Sequence, residues 1–140
     1  MKLFLDCEFN GFGGELISMA LVDEQGKYFY EVLPCPQPIP WVQENVMPKL
    51  NQAAISPAEF KGKLGQFLRR YDQLHIIADW PEDLALFSRA LIVGFGKCMV
   101  IPPLTMQLWM DKTVQLLPEI PHNALSDANE LRQAYLEQYH

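Results

Sequence analysis

Apolar residues dominate three short segments in the first part of the chain. Residues 2–8 alternate with a period of two, which is typical of a β-strand, and residues 16–22 and 27–33 are predicted as two further strands. The polar segment 23–26 ends in Gly26 and has the length and composition of a hairpin loop. We therefore predict that the three strands form an antiparallel meander.

The apolar period changes to that of a helix after Ser56. Ser56 is a preferred N-cap, Pro57 suits the first helical position, and Glu59 completes a capping box. The same patterns predict later helices over 81–92 and 123–138 and short strands over 74–78 and 98–101. Three antiparallel strands followed by alternating helices and strands indicate a mixed α/β fold.

Composition and charge fit one globular domain spanning residues 1–140. Apolar residues make up 49% of the chain and charged residues 20%, which excludes a disordered protein. The net charge of −6 argues against a protein that binds nucleic acid through a broad basic surface. It leaves open a protein that meets phosphates through metal ions, because cations held by carboxylates reverse the local field.

The cysteines and the apolar runs indicate the cellular compartment. The three cysteines form no CxxC pair, so neither a disulfide framework nor a zinc site is predicted. No apolar run approaches the ~20 residues of a membrane span, and an acid at position 6 interrupts the first apolar run too early for a signal peptide. We expect a cytoplasmic protein with reduced thiols and no membrane partner.

Two acids lie near the end of the first predicted strand. Side chains at i and i+2 share a face, so Asp6 and Glu8 point the same way with Cα atoms ~6–7 Å apart. Cys7 points to the other face and is predicted to be core. Two acids on an apolar strand are costly unless a hard cation such as Mg²⁺ or Mn²⁺ neutralises them. An edge strand ending in solvent would fit the pair equally well.

Further acids and a histidine lie beside predicted helix starts. Asp79 fits a simple N-cap of the helix beginning at Pro81, and Asp83 lies in the first turn of that helix. Ligands of α/β proteins bind where a strand leads into a helix, which favours a site here. His122 precedes the last predicted helix and Asp127 lies one turn into it. Taken alone, Asp127 is explained by the helix dipole.

Taken in chain order, these residues resemble the motifs of the DEDD exonuclease superfamily. The resemblance rests on Asp6-Cys7-Glu8-Phe9-Asn10-Gly11 and on His122-Asn123-Ala124-Leu125-Ser126-Asp127-Ala128. The second matches the His-x-Ala-x-x-Asp-Ala signature of the histidine-containing branch, the DnaQ-like and RNase T-like 3′→5′ exonucleases with an RNase H-like fold. The middle motif departs from the family, which usually shows His-Asn-x-x-Phe-Asp where this chain has residues 78–83. Asp83 takes the place of the family aspartate, with Asp79 as the alternative.

The resemblance implies hydrolysis of phosphodiester bonds with two Mg²⁺ or Mn²⁺ ions per site. By that resemblance Asp6, Glu8 and Asp127 hold the first ion. Asp6 also reaches the second ion, to which Asp83 contributes directly or through water. His122 is the implied general base, since an imidazole is suited to proton transfer near neutral pH.

The resemblance also implies which residues contact the substrate. Gly11 and Phe12 would contact the terminal nucleotide, with Phe12 either stacking on a base or closing over the core. Asn10 stands where many family members carry a hydroxyl residue. Trp80 either lines the site or anchors the helix beside it.

The expected activity is removal of nucleoside 5′-monophosphates from the 3′ end of single-stranded nucleic acid. RNA is preferred over DNA because the chain is similar in length to the small bacterial exoribonucleases, and family members are often homodimers. The alternatives are a 3′→5′ exodeoxyribonuclease, an RNase H-like endonuclease, and a non-catalytic nucleic-acid-binding or assembly module. Elsewhere, Trp41 and Trp109 are predicted to pack inside the protein, and His75 is predicted to be a hydrogen-bonded core histidine.

Overall fold

A computed structural model describes residues 1–111 and 113–139. Its elements are β1 Lys2–Phe9, β2 Leu16–Asp23, β3 Tyr28–Val32, α1 Pro40–Asn45, a 3-10 turn Met47–Lys49, α2 Pro57–Leu68, β4 Leu74–Ala78, α3 Pro81–Ala90, β5 Ile92–Gly94, β6 Lys97–Cys98, β7 Leu104–Leu108 and α4 Ala124–Gln138. Five strands form a mixed sheet in the order β3-β2-β1-β4-β7. The first three strands are antiparallel, as predicted, and β4 and β7 extend the sheet in parallel.

Helices cover both faces of this sheet. On one face α2 and α3 bury a cluster that includes Leu5 and Cys7 of β1, which confirms the core position of Cys7. On the other face α4 packs through Ala124, Ala128, Leu131 and Tyr135. On both faces, the removal of apolar surface from water stabilises the fold. The mixed α/β fold is therefore confirmed.

Side-chain caps begin two of the helices, and the cap of α2 was predicted. The hydroxyl of Ser56 accepts a hydrogen bond of 3.1 Å from the backbone N–H of Glu59, so Ser56 caps α2 as predicted. The carboxylate of Glu59 pairs with Lys63 and, within the described residues, makes no bond back to Ser56, so the predicted capping box is only half formed. Asn123 caps α4 by accepting from the backbone N–H of Ser126 at 3.0 Å. Such a bond satisfies one of the free N–H groups at the start of a helix.

The predicted strand over 98–101 is wrong. Only Lys97 and Cys98 are extended there, and they pair with β5 in a separate hairpin that turns at Gly96 with a φ of 65°. The fifth strand of the main sheet is β7, whose residues alternate weakly in burial because it lies at the sheet edge. Helix α3 also ends at Ala90, two residues before the predicted boundary.

Strand β7 explains the environment of His75 on the neighbouring strand. The two ring nitrogens of His75 are each 2.8 Å from a side-chain oxygen, one of Thr105 and one of Gln107. This confirms that His75 is hydrogen-bonded, but its side chain is only partly buried, so its predicted position in the core is wrong. Among the described helices, none is both long and apolar enough to cross a membrane.

Candidate metal centre and active site

Five carboxyl groups meet where β1 and β4 end. Oxygen atoms of Asp6, Glu8 and Asp127 all lie within 4.8 Å of one another, and the same limit holds for Asp6, Asp79 and Asp83. Asp6 belongs to both groups and therefore joins them. Together they form what we call the carboxylate cluster.

The position of β1 decides between the two explanations of the Asp6–Glu8 pair. β1 is the middle strand of the sheet, between β2 and β4. The pair is therefore not explained by an edge strand that ends in solvent. Inside the sheet, acids need partners or cations to offset their loss of hydration.

Small residues allow α4 to bring Asp127 to this pair. Asp6 lies opposite Ala20 of β2 in the ladder, and Ala20 packs in the same buried cluster as Ala124 and Ala128 of α4. Short side chains permit close approach of a helix to the sheet. Asp127 lies in the first turn of α4, so its carboxyl group faces the end of β1.

The other half of the cluster comes from the β4–α3 connection. Asp79 follows the last residue of β4, and Asp83 lies in the first turn of α3 with only 2% of its surface exposed. The Sγ of Cys7 lies 3.9 Å from the backbone oxygen of Asp83, which places α3 directly against β1. Asp79 is not the helix cap suggested by its sequence position, because Trp80 occupies the N-cap without a side-chain hydrogen bond.

One oxygen of the cluster is buried without a partner. Within the described residues, Oδ2 of Asp6 is shielded from solvent and accepts no hydrogen bond. Most buried polar atoms in proteins are hydrogen-bonded, so each exception calls for an explanation. A cation ligated by this oxygen would explain why it has no hydrogen-bond partner.

Burial is the largest cause of raised pKa values in the carboxylate cluster. It raises the pKa of Glu8 and of Asp83 to about 8 and that of Asp127 to about 6. The pKa of Asp6 is raised well above its ordinary value, first by burial and then by the charges of its four carboxylate neighbours. Burial also raises the pKa of Asp79. Without a cation, the cluster therefore retains protons near neutral pH.

The donor set fits divalent cations of the hard type. All five side chains offer carboxylate oxygens, the ligands that Mg²⁺ and Mn²⁺ prefer. The unpartnered oxygen belongs to Asp6, the residue shared by both groups. Asp6, Glu8 and Asp127 would hold one ion, and Asp6, Asp79 and Asp83 a second.

His122 lies beside the cluster at the entrance to α4. Its backbone hydrogen-bonds to the carboxyl group of Asp127, which lowers the pKa of that group against the larger effect of burial. Its φ of 65° is in the left-handed region, which is uncommon for a residue other than glycine. Its ring contacts the indole of Trp41 edge-on, with the centroids 5.1 Å apart. Among the described residues, its ring has no hydrogen-bond partner.

The residues of the loop after β1 that are predicted to contact the substrate have different surroundings. The side chain of Asn10 is used within the protein: it donates to Glu15 and to the backbone of Gln37, and it accepts from the backbone N–H of Ile39 at 2.9 Å. Gly11 has a φ of 75°, and a Cβ there would lie 2.8 Å from Ile39.

The two predicted aromatic contacts are open to solvent. Phe12 is 99% exposed and does not close over the core. Trp80 is half-exposed, and its indole N–H donates to Glu82 at 3.3 Å. A cavity of about 290 Å³ opens beside Asp79 and is lined in part by Trp109 and Asp111.

Two residues near the cluster were not predicted to belong to a site. Trp41 was expected to pack inside, but 53% of its surface is exposed, whereas Trp109 is buried as expected. The positive charge of Lys49 lowers the pKa of Glu8 against the larger effect of burial. Neither residue stands in a recognisable motif, since the helix and turn that carry them were not predicted. Only the Pro40-Trp41 step resembles a helix start.

Comparison of the chain with models of known protein families and with curated protein sequences gives no match.

Proposed function

We propose that this chain is a metal-dependent 3′→5′ exonuclease of the DEDD superfamily with an RNase H-like fold. The observation that carries the proposal is Asp6, which joins two carboxylate groups and has a buried oxygen without a partner. The sheet order β3-β2-β1-β4-β7, with three antiparallel strands followed by two parallel ones, also supports it.

The chemistry divides between the ions and the chain. When bound, two divalent cations supply positive charge that stabilises the attacking and leaving oxygens of a phosphodiester in an in-line displacement. Asp6, Glu8 and Asp127 would hold one ion, and Asp6, Asp79 and Asp83 would hold the other. Burial of the cluster strengthens these interactions by excluding competing water.

His122 is proposed to be the general base. It directly precedes the N-cap of α4, and its backbone is hydrogen-bonded to the side chain of Asp127 in the cluster. A ring nitrogen of His122, which has no hydrogen-bond partner among the described residues, takes the proton from the attacking water. Without that group, the attack would depend on the low concentration of hydroxide at neutral pH.

The loop after β1 is proposed to receive the 3′ end. Gly11 and Phe12 contact the terminal nucleotide, and the exposed ring of Phe12 is available to stack on a base. Trp80 lines the site next to Asp79, on the same side as this loop, because Glu82 accepts from both the indole N–H of Trp80 and the backbone N–H of Gly13. Asn10 has a positioning role, because its amide ties this loop to the segment before α1.

The proposal is tested with 5′-labelled single-stranded RNA and DNA, incubated with the protein in Mg²⁺, Mn²⁺ or EDTA. We expect a ladder that shortens from the 3′ end, release of nucleoside 5′-monophosphates, faster reaction on RNA, and no reaction in EDTA. A substrate blocked by a 3′-phosphate distinguishes an exonuclease from an endonuclease, which would cut it internally.

Three results would change the assignment. Binding without turnover in either metal supports the non-catalytic module, and a preference for DNA supports the exodeoxyribonuclease. Turnover that persists in EDTA contradicts the metal-dependent mechanism. The mass of the protein in solution tests the expected homodimer.

A further inference from the structure

One asparagine side chain joins three parts of the chain directly after His122. Asn123 is the N-cap of α4, and only 6% of its surface is exposed. Its side-chain oxygen accepts from the backbone N–H of Ser126 at 3.0 Å, and its amide nitrogen donates to the backbone oxygen of Lys49 at 2.8 Å and to the hydroxyl of Tyr30 at 3.5 Å. An amide that uses its oxygen and both N–H groups is fixed in one orientation.

These bonds exceed what a helix cap requires. Ser56, the N-cap of α2, is exposed and accepts one hydrogen bond, and its side chain makes no other among the described residues. The oxygen of Asn123 does the same for α4, whereas its two N–H groups connect the start of α4 to the turn Met47–Lys49 and to β3. Burial of an amide is costly unless its groups are paired. The N–H groups of Asn123 therefore do something other than cap the helix.

The surroundings of His122 depend on Asn123 from two directions. The backbone of His122, which directly precedes Asn123, has a φ of 65° in the left-handed region. A residue other than glycine keeps this conformation only where its surroundings hold it. The ring of His122 contacts the indole of Trp41 in α1, and the turn that follows α1 is bonded to Asn123 through Lys49. Asn123 therefore holds both the backbone of His122 and the helix against which its ring lies.

Resting on the proposed function, we propose that Asn123 is a positioning residue that keeps the imidazole of His122 aimed at the attacking water. Asn123 acts through His122 and the turn at Lys49, not by contact with the reacting atoms. A general base must lie within hydrogen-bond reach of the proton that it takes, and a misplacement of about 1 Å lowers the rate about 10²-fold. Loss of the two N–H donors should therefore lower kcat and leave KM nearly unchanged, since the ions and the loop after β1 bind the substrate.

A different role for Asn123 would be to stabilise the fold alone. Its loss would then lower the melting temperature, while kcat per folded molecule would stay at the wild-type value. Asn123→Ser separates the two roles, because serine caps a helix about as well as asparagine does. Its single short hydroxyl cannot cap α4 and also donate to Lys49 and Tyr30.

The experiment measures kcat and KM for release of nucleoside monophosphates from single-stranded RNA in Mn²⁺. The proteins are the wild type, Asn123→Ser, His122→Ala, the double variant, and the control Ser56→Ala, which lacks the cap of α2. Asn123→Ser should lower kcat about 10- to 100-fold, and Ser56→Ala should melt at a lower temperature but keep the wild-type kcat. In the His122→Ala background, Asn123→Ser should cause no further loss, because the base that it positions is absent.

The positioning proposal is overturned if Asn123→Ser has the wild-type kcat, or if it lowers kcat equally with and without His122. In both cases, turnover by the wild type leaves the exonuclease proposal intact. A wild type that releases no nucleotide in Mg²⁺ or Mn²⁺ overturns the exonuclease proposal and the positioning role with it. Asn123→Asp, which keeps the capping oxygen and loses both donors, provides the same comparison should the serine variant fail to fold.

Discussion

The neighbouring strands β1 and β2 carry the acids Asp6 and Asp23, which differ in the hydrogen bonds that their carboxyl groups accept. Asp23, at the end of β2, is 1% exposed and fully hydrogen-bonded. One of its oxygens accepts from the backbone N–H groups of Gln25 and Lys27 at 2.8 and 2.9 Å, and the other accepts from the hydroxyl of Tyr71 at 2.8 Å. Asp6, on β1, has a buried oxygen with no partner in the described residues.

The difference shows that burial of a carboxylate does not by itself indicate function. The hydrogen bonds of Asp23 close the β2–β3 turn and attach it to Tyr71 in the turn after α2, so its buried carboxyl group is compensated within the protein. Asp6 instead faces four other carboxyl groups, which raise its pKa in addition to burial. An arrangement that disfavours the folded state without a ligand is typical of a binding or catalytic site.

The largest expected effect is on catalytic activity, which should fall in Asp6→Asn and not in Asp23→Asn. Asp6→Asn should reduce the rate of nucleotide release by about 10³-fold or more, because it removes several kcal/mol of metal-dependent stabilisation. Asp23→Asn should leave the rate per folded molecule near that of the wild type. Rates are measured as nucleoside monophosphate released from single-stranded RNA in Mn²⁺. Equal losses in both variants would show that Asp6 acts through the fold.

Two of the three histidines, His75 and His122, provide a second, smaller contrast. His122→Ala should lower kcat by about 10²- to 10⁴-fold at neutral pH, which is typical for the loss of a general base. His75→Gln is the control, because His75 already bonds to Thr105 and Gln107 inside the sheet. The affinity for Mn²⁺ should persist in His122→Ala, as judged by the shift of the melting temperature. A kcat unchanged in His122→Ala would remove this residue from the mechanism.

The two substitutions should have opposite effects on stability, with a loss in Asp23→Asn and a gain in Asp6→Asn. Asp23→Asn should lower the free energy of unfolding by about 1–3 kcal/mol, since it weakens hydrogen bonds to a buried charged group. Urea titration at pH 7 without metal measures the loss. A variant as stable as the wild type would mean that the hairpin and α2 hold without the charge of Asp23.

Asp6→Asn should stabilise the metal-free protein by about 0.5–2 kcal/mol at pH 8, because it removes one buried acid from the cluster. The gain depends on pH. The folded state keeps protons on the cluster, because the pKa values of Glu8 and Asp83 are raised to about 8 and that of Asp6 is raised well above its ordinary value, whereas an unfolded aspartate releases its proton near 3.8. The folded state thus binds more protons over this range, so wild-type stability falls as pH rises.

The gain in Asp6→Asn should therefore be present at pH 8 and absent by about pH 4, where unfolded acids also hold their protons. Melting temperatures across this range measure it, with Asp23→Asn as the reference. Mn²⁺ should raise the melting temperature of the wild type more at pH 8 than at pH 5, because protons compete with the cation. A gain that is independent of pH would contradict the charge explanation.

Features that depend on residues close together in the chain could be predicted from the sequence alone. Period-two alternation fixed the face shared by Asp6 and Glu8, and Ser56 marked the start of α2 through a bond to a residue three positions away. The apolar face of α4 followed from helical spacing, so Asp127 was predicted in its first turn. The meander and the α/β class followed from these local periods, because side-chain direction repeats regularly along a strand or helix.

The tertiary structure decided what depends on residues far apart. Strand β7 could not be recognised locally because it lies at an edge and is defined by its pairing with β4. The inclusion of both Asp79 and Asp83 in one cluster depends on how α3 lies against β1. The contact of Trp41 with His122 joins residues on α1 and before α4, and no periodicity encodes it. Which charges lack partners is a property of packing, since a partner from any part of the chain would have satisfied them.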